Sequence, residues 1–221
     1  MSERITVSKF DKLSIILHSA VISDVLDDLG YTNQVVHSGL KGLDSNSVVM
    51  GRAFTVLAVD VYQQPESPYQ KQMEAVDHLK KGDLFVVTTN GSTRSAFWGE
   101  LLSTSARARG ARGAIVDGLT RDTAKIIEMK FPVFTKGFIP IDSKGRNEVI
   151  DYNVPIECGG VKIQPDDLMF GDRDGIVVVP QKVESLVIQK ALEKLEAEDK
   201  VREKLLEGVT TEEVYKELGV L

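Results

Sequence analysis

The hydrophobic and polar positions follow a helical period near the start of the chain and a strand-like pattern further on. Over residues 12–29, apolar side chains recur at steps of three and four, and Gly30 follows as a terminator. This spacing predicts one amphipathic helix. Residues 53–61 (AFTVLAVDV) are dense in β-favouring side chains and predict a strand, which Pro65 and Pro68 bring to an end.

Two strand-loop-helix units follow one another in the middle of the chain. In the first, residues 84–89 (LFVVTT) predict a buried strand and residues 99–109 a helix, with a turn between them. In the second, residues 114–117 predict a strand, 118–120 a turn and 121–129 a helix. Strands that alternate with helices indicate an α/β fold with parallel pairing.

The last third of the chain has a different pattern. After Pro132, short apolar runs are separated by Gly, Pro and Asp, which predicts a β-rich layer, and residues 181–207 then predict a long helix with a charged face. We expect a single domain over residues 1–221, with a core at about 10–180 and a C-terminal helical extension at about 181–221.

Composition and charge narrow the class of protein. The 221 residues are 42% hydrophobic and 27% charged, with a formal net charge of -6. Such a composition is typical of a globular chain, and the acidic balance argues against a nucleic-acid partner. Cys158 is the only cysteine, the N-terminus lacks the apolar core of a signal peptide, and no apolar run is long enough to span a bilayer. We therefore expect a cytoplasmic protein with no membrane partner.

The residue types also restrict any metal site. The three histidines, His18, His37 and His78, neither cluster nor lie at ligand spacing, which disfavours zinc. A metal here is expected to be a hard cation held by carboxylates and water.

The two predicted units present their chemistry where helices begin after strands, which is where α/β sheets bind ligands. Gly99 allows close backbone approach, and the N–H groups of Glu100, Leu101 and Leu102 fall in the first helical turn, where they predict a pocket for a carboxylate.

In the second unit, Arg121 and Asp122 follow the predicted turn. Arg121 can bind a carboxylate or oxo group and stabilise an enolate oxygen, while Asp122 can hold Mg²⁺ or Mn²⁺. A structural role fits the same spacing, because Asp122 is a favourable charge at a helix start and Thr120 could be the N-cap. The spacing alone leaves both readings open.

Three segments resemble the RraA-like family, which includes the 4-hydroxy-4-methyl-2-oxoglutarate aldolases, also called HMG/CHA aldolases. Residues 98–122 (WGELLSTSARARGARGAIVDGLTRD) resemble the family signature, residues 22–30 (ISDVLDDLG) its N-terminal helix, and residues 165–180 (PDDLMFGDRDGIVVVP) its late β segment. The likeness spans about residues 10–208.

The resemblance implies a swivelling β/β/α sandwich that assembles as a homotrimer or homohexamer with sites at subunit boundaries. It implies a divalent metal, Mg²⁺ or Mn²⁺, held by Asp122 and water, with Arg121 on the pyruvyl unit and the amides from Gly99 to Leu102 on the substrate carboxylate. The family's aldolase pattern is an acidic residue, twenty residues, then Arg-Asp. Glu100 has this spacing in place of Asp, and a metal-bound water near Glu100 is the candidate base.

The first functional hypothesis is a metal-dependent lyase, a class II pyruvate aldolase that cleaves a 2-oxo acid and also decarboxylates oxaloacetate. Both reactions pass through a pyruvate enolate. The second is a non-catalytic regulator that binds a ribonuclease, as RraA does. The third is a sugar-acid lyase that uses the same site. A methyltransferase is disfavoured because no glycine-rich nucleotide loop is present.

Overall fold

The computed structural model describes residues 4–37 and 39–219. Within these ranges the helices are α1 Val7–Ile16, α2 Ser19–Asp28, α3 Gln70–Asp77, α4 Glu100–Ala108, α5 Thr123–Glu128, α6 Glu184–Leu206 and α7 Thr211–Leu218. The strands are β1 Lys41–Gly42, β2 Val49–Asp60, β3 Asp83–Thr88, β4 Ala96–Trp98, β5 Gly113–Thr120, β6 Val133–Phe138, β7 Asn147–Tyr152, β8 Ile156–Cys158, β9 Val161–Ile163, β10 Leu168–Gly171 and β11 Ile176–Val179.

Four parallel strands, in the order β6-β5-β3-β2, form the centre of a nine-stranded sheet. The long β2 pairs with antiparallel β10 near its start and with antiparallel β7 near its end. The end of β5 likewise pairs with the short parallel strand β4. The parallel pairing predicted from the two strand-loop-helix units is therefore confirmed.

The sheet is buried on both faces, as parallel sheets usually are. One face packs on α3, α4 and α5 through Phe85, Val116 and Ile126, and the other covers the hairpin β8-β9. A separate cluster of buried apolar side chains packs α1, α2 and α6 against β10 and β11. The fold therefore has three layers: the β8-β9 hairpin, the nine-stranded sheet, and the helices α3, α4 and α5.

The N-terminal segment differs from the single helix predicted over residues 12–29. It forms α1 and α2, separated at Leu17 and His18, whose backbones are extended. His18 starts the second helix because its Nδ1 accepts a hydrogen bond from the Val21 N–H at 3.2 Å. A capping contact of this kind interrupts a helix without disturbing its apolar period.

The predicted turn at residues 118–120 is also wrong. These residues continue β5, since Leu119 and Thr120 pair with both β4 and β6. The following helix begins at Thr123 rather than at Arg121. The extra strand pairs supply the backbone hydrogen bonds that keep the segment extended.

The late part of the chain follows the prediction of short strands and a long helix, with α7 as an additional element. A buried ion pair fixes α6 to the sheet: Arg52 of β2 binds both carboxylate oxygens of Glu184. In the described residues, no helix is both long enough and apolar enough to cross a bilayer.

Candidate active site

The strands β4 and β5 bring the two predicted ligand-binding segments to the same edge of the sheet. Trp98 of β4 pairs with Thr120 of β5, and the Arg121 N–H donates to the Trp98 carbonyl at 2.9 Å. Because the two strands are parallel, their carboxyl ends point the same way, and Gly99 and Arg121 emerge side by side.

Gly99 allows these segments to approach closely. A Cβ at this position would lie 2.9 Å from Oδ2 of Asp122 and 3.3 Å from Cγ of Arg121. The backbone of Gly99 is extended, with φ -160°, so the need for glycine here is steric. The same Asp122 Oδ2 accepts a hydrogen bond from the Glu100 N–H at 3.3 Å. The Arg121-Asp122 pair thus lies against the N-terminus of α4.

The geometry does not support the alternative in which Asp122 or Thr120 caps α5, the helix that follows them in sequence. Asp122 occupies the N-cap position of α5, yet its side chain makes no capping hydrogen bond there. Thr120 lies within β5, and its hydroxyl donates to Oγ1 of Thr135 at 3.1 Å. Asp122 adopts a left-handed backbone conformation, with φ 56°, and its carboxylate interacts with α4 instead.

The first amides of α4 are divided between two partners. The Glu100 N–H faces Asp122, and the Ser103 N–H donates to the Gly99 carbonyl at 3.1 Å. Across residues 4–37 and 39–219, the N–H groups of Leu101 and Leu102 have no acceptor, as is usual for the first turn of a helix. Two of the three amides predicted to form the carboxylate pocket are therefore open, whereas the Glu100 amide is bound to Asp122.

The side chain of Glu100 is placed differently from its backbone. Its Oε1 accepts a hydrogen bond at 2.8 Å from the hydroxyl of Thr104, one turn further along α4. Glu100 does not line the cleft beside Arg121 and Asp122. The predicted role of this carboxylate in orienting a water has no contact to support it here, and remains a prediction.

A cleft of about 270 Å³ opens beside this junction. Its apolar wall is formed by Met73, Ala96, Phe97, Leu101 and Leu102. Underneath, the indole N–H of Trp98 donates to Oγ of Ser103 at 2.7 Å, and that hydroxyl donates to the Gly99 carbonyl at 3.0 Å. These buried hydrogen bonds fix the start of α4 relative to β4.

Two further residues of the cleft have no local sequence signal. Asp142 forms an ion pair with Nη2 of Arg121 at 3.2 Å, and the hydroxyl of Tyr69 donates to the other oxygen of Asp142. Burial, followed by the hydrogen bond and negative charge of Asp142, raises the pKa of Tyr69 to about 12. Sequence reasoning missed both residues, because they lie in irregular segments far along the chain from Arg121.

The Asp122 carboxylate fits the requirements of a hard divalent cation that keeps most of its water ligands. The side chain is 45% exposed, and the nearest cationic atom, Nε of Arg121, lies 3.8 Å from Oδ2. Among the described residues, no three His, Cys, Asp or Glu side chains gather into a closed metal site. Mg²⁺ is commonly bound by one or two carboxylates with water and substrate oxygens, so a single open carboxylate suits it.

A second acidic segment, residues 172–175, has a structural role. Asp172 accepts hydrogen bonds from the N–H and the hydroxyl of Ser19, both at 2.7 Å, and from the Asp174 N–H at 3.0 Å. Its carboxylate therefore joins the β10-β11 turn to the start of α2.

Comparison with known proteins places these observations in a family. The sequence profile of the RraA-like family, described as Aldolase/RraA, matches residues 19–178. A protein of Halalkalibacterium halodurans, named provisionally as a 4-hydroxy-4-methyl-2-oxoglutarate aldolase, is 36% identical over 185 residues, which is 84% of this chain and 82% of that protein.

Solved structures agree with the sequence match. An uncharacterised protein from Pseudomonas syringae superposes with a TM-score of 0.82 at 29% identity, over 96% of this chain and 99% of that one. RraAS2 of Streptomyces coelicolor, described as an unusual member of the RNase ES inhibitor RraA family, superposes with a TM-score of 0.80 at 28% identity, over 91% and 99%. The predicted fold class is confirmed, and the chain belongs to the RraA-like (Aldolase/RraA) family.

Proposed function

We propose that this chain is a divalent-metal-dependent lyase that cleaves a 2-oxo acid by a retro-aldol reaction, releases pyruvate and also decarboxylates oxaloacetate. One observation carries the proposal: the N-terminus of α4 and the Arg121-Asp122 pair converge on one cleft, with Glu100 N only 3.3 Å from Asp122 Oδ2. A carboxylate-binding helix start, a guanidinium and an open carboxylate are the groups that a pyruvyl unit requires.

The protein groups act on different parts of the substrate. The free amides of Leu101 and Leu102 bind the carboxylate, helped by the positive end of the α4 dipole. Arg121 donates to the 2-oxo oxygen, where negative charge develops as the carbon-carbon bond breaks and its electron pair forms the enolate. A proton from water then converts the enolate to pyruvate.

Asp122 would hold the cation, with water completing its shell. When bound, Mg²⁺ or Mn²⁺ supplies Lewis-acid chemistry at the 2-oxo group. The aldol substrate must also lose the proton of its distal hydroxyl. Because the Glu100 carboxylate contacts Thr104 and does not line the cleft, we propose that a water in the cleft accepts this hydroxyl proton. Oxaloacetate has no such hydroxyl and needs no base, which makes it the simpler test substrate.

The surface around the cleft supports assembly of several copies of the chain. Leu101 and Phe138 are 76% and 71% exposed, and Met73 and Ile141 are also exposed. Exposed apolar side chains grouped in this way are typical of protein interfaces. We propose a homotrimer or homohexamer in which a neighbouring copy covers this rim. Light scattering should give the mass of three or six chains of 24.3 kDa, and a monomer mass would contradict it.

The activity is tested by pyruvate release from oxaloacetate and from 4-hydroxy-4-methyl-2-oxoglutarate, coupled to lactate dehydrogenase. We expect turnover with Mg²⁺ or Mn²⁺, loss of turnover with EDTA, and recovery when metal is added back. The Arg121→Ala variant is the matched negative control. Turnover that persists in EDTA would contradict the metal-dependent mechanism.

The second candidate is a protein that binds a ribonuclease. It is favoured by the likeness to the Streptomyces coelicolor protein, which is described in terms of ribonuclease inhibition. Absence of turnover across a panel of 2-oxo acids, with and without metal, together with binding to a ribonuclease, would favour this candidate over the lyase.

A further inference from the structure

Asp142 connects two side chains that come from distant parts of the chain. Its Oδ1 lies 3.2 Å from Nη2 of Arg121 and accepts the Ser143 N–H at 2.9 Å. Its Oδ2 accepts the hydroxyl proton of Tyr69, which is 73 residues away in sequence. The two oxygens of one carboxylate are therefore held by different partners.

The backbone of Tyr69 is held in an unfavourable conformation at this contact. Its φ of 64° lies in the left-handed region, immediately before α3. Four of the other five described non-glycine residues with positive φ are Asn or Asp, which tolerate this region. A bulky aromatic residue is strained in this region, and such strain concentrates at functional sites.

The Tyr69 hydroxyl limits how Asp142 can pair with Arg121. A free carboxylate beside a guanidinium tends to form two parallel hydrogen bonds, which occupy one whole edge of the arginine. Here the Tyr69 hydroxyl binds Oδ2 and turns it toward Tyr69, and the ion pair with Arg121 is made through Oδ1. A tyrosine hydroxyl is protonated at neutral pH, and burial and the neighbouring Asp142 raise the pKa of Tyr69 further, to about 12, so it remains a donor to Oδ2.

The other groups near Arg121 leave its remaining N–H donors open. Nε lies 3.8 Å from Oδ2 of Asp122, which is beyond hydrogen-bond distance. The side chain is 37% exposed and lines the cleft together with Tyr69 and Asp142. The guanidinium is therefore oriented by ion pairs with Asp142 and, at longer range, Asp122, and among the described residues its N–H groups donate no hydrogen bond, so they stay available to a ligand.

We infer that Tyr69 is a positioning residue of the 2-oxo acid site, which acts by occupying one oxygen of Asp142 so that Arg121 stays oriented and available to substrate. This inference rests on the proposed function for its role in catalysis. The structural part of the inference, that Tyr69 controls the orientation and hydrogen bonding of the Arg121 guanidinium, does not depend on any catalytic activity.

The kinetic arm compares Tyr69→Phe, Asp142→Asn and the double variant in oxaloacetate decarboxylation. In Tyr69→Phe, Asp142 can pair with Arg121 through both oxygens and compete with substrate, so KM should rise about tenfold while kcat changes less than about threefold. In the Asp142→Asn background, the same tyrosine substitution should change KM by less than about twofold, because no carboxylate remains to compete. Equal effects of Tyr69→Phe in both backgrounds would overturn the inference.

The spectroscopic arm follows the Nε–H signal of Arg121 in the free protein by ¹⁵N NMR, with Arg121→Lys used to assign it. Tyr69→Phe should shift this signal, whereas Tyr62→Phe should leave it in place, since Tyr62 is 87% exposed and contacts Arg94 instead. An unmoved signal in Tyr69→Phe overturns the inference even if the protein is an active lyase. A shifted signal in a protein without turnover supports the positioning role and counts against the proposed function alone.

Discussion

Replacing Gly99 with alanine tests whether close packing at the start of α4 positions the catalytic groups. The added Cβ would lie 2.9 Å from Oδ2 of Asp122, whereas ordinary contact begins at 3.4 Å. The carboxylate must therefore retreat by about 0.5 Å, or the start of α4 must move by the same amount. Both movements open the junction between the amides and the Arg121-Asp122 pair.

The size of the effect follows from this displacement. A misplacement of about 1 Å in an active site can cost about 10²-fold in rate, so about 0.5 Å should lower kcat/KM about tenfold. The loss of stability should be small, because φ of -160° suits alanine as well as glycine. Alanine is a poorer N-cap by up to about 1 kcal/mol, which lowers the Tm of a chain of this size by about 2–4 °C.

The assay is pyruvate release from oxaloacetate in saturating Mg²⁺, together with a thermal melt of each variant. Gly175→Ala is the matched control: among the described residues no atom beyond its chain neighbours lies within 4 Å of its added Cβ, its φ is not in the left-handed region, and it does not line the cleft. We expect this control to keep wild-type activity. Wild-type kcat/KM in Gly99→Ala would show that the close approach at Gly99 does not position the site.

Three further predictions concern the site, the core and the single cysteine. Arg121→Lys and Asp122→Asn should each lower kcat about 10²-fold, with the fold intact by circular dichroism. The first variant loses the forked guanidinium donor, and the second loses the cation ligand. Normal turnover in either variant would reject the site assignment. Glu184→Gln leaves the buried Arg52 charge uncompensated and should lower the free energy of unfolding by about 3 kcal/mol. The Tm should then fall by about 6–12 °C, with kcat/KM at 25 °C unchanged, and a Tm within 2 °C of wild type would contradict this. Burial raises the pKa of the Cys158 thiol, so a disulfide reagent at pH 8 should label this thiol only in denaturant. The contribution of the buried, protonated thiol to the free energy of unfolding should be present below about pH 8.5 and fall above it. Rapid labelling of the folded chain would show that the thiol is accessible.

The sequence was sufficient to predict which two segments meet at one edge of the sheet. The apolar run of β3 and the spacing of α4 are strong local signals, and parallel strands place the ends of neighbouring units at one edge. That rule predicts that the starts of the two helices share one edge of the sheet, and pairing of β4 with the end of β5 then brings Gly99 and Arg121 side by side there. The roles of these residues in catalysis and metal binding, and the division into core and helical extension, remain predictions.

Other features depend on contacts that the local pattern does not contain. The helix break at His18 results from one side-chain cap, which leaves the apolar period unchanged. β4 has only three residues, too few to show a period, and it exists because β5 extends past the predicted turn to pair with it. The Tyr69 contact with Asp142 joins two irregular segments, so only the folded chain reveals it.

In the proposed mechanism, the amides of α4 and the Arg121-Asp122 pair bind one pyruvyl unit together. A crystal structure of the protein soaked with pyruvate and Mg²⁺ tests this most directly. We predict the carboxylate of pyruvate on the N–H groups of Leu101 and Leu102, its oxo oxygen beside Arg121, and the cation on Asp122. Pyruvate bound elsewhere, or a cation bound away from Asp122 in a crystal of active protein, would contradict the account.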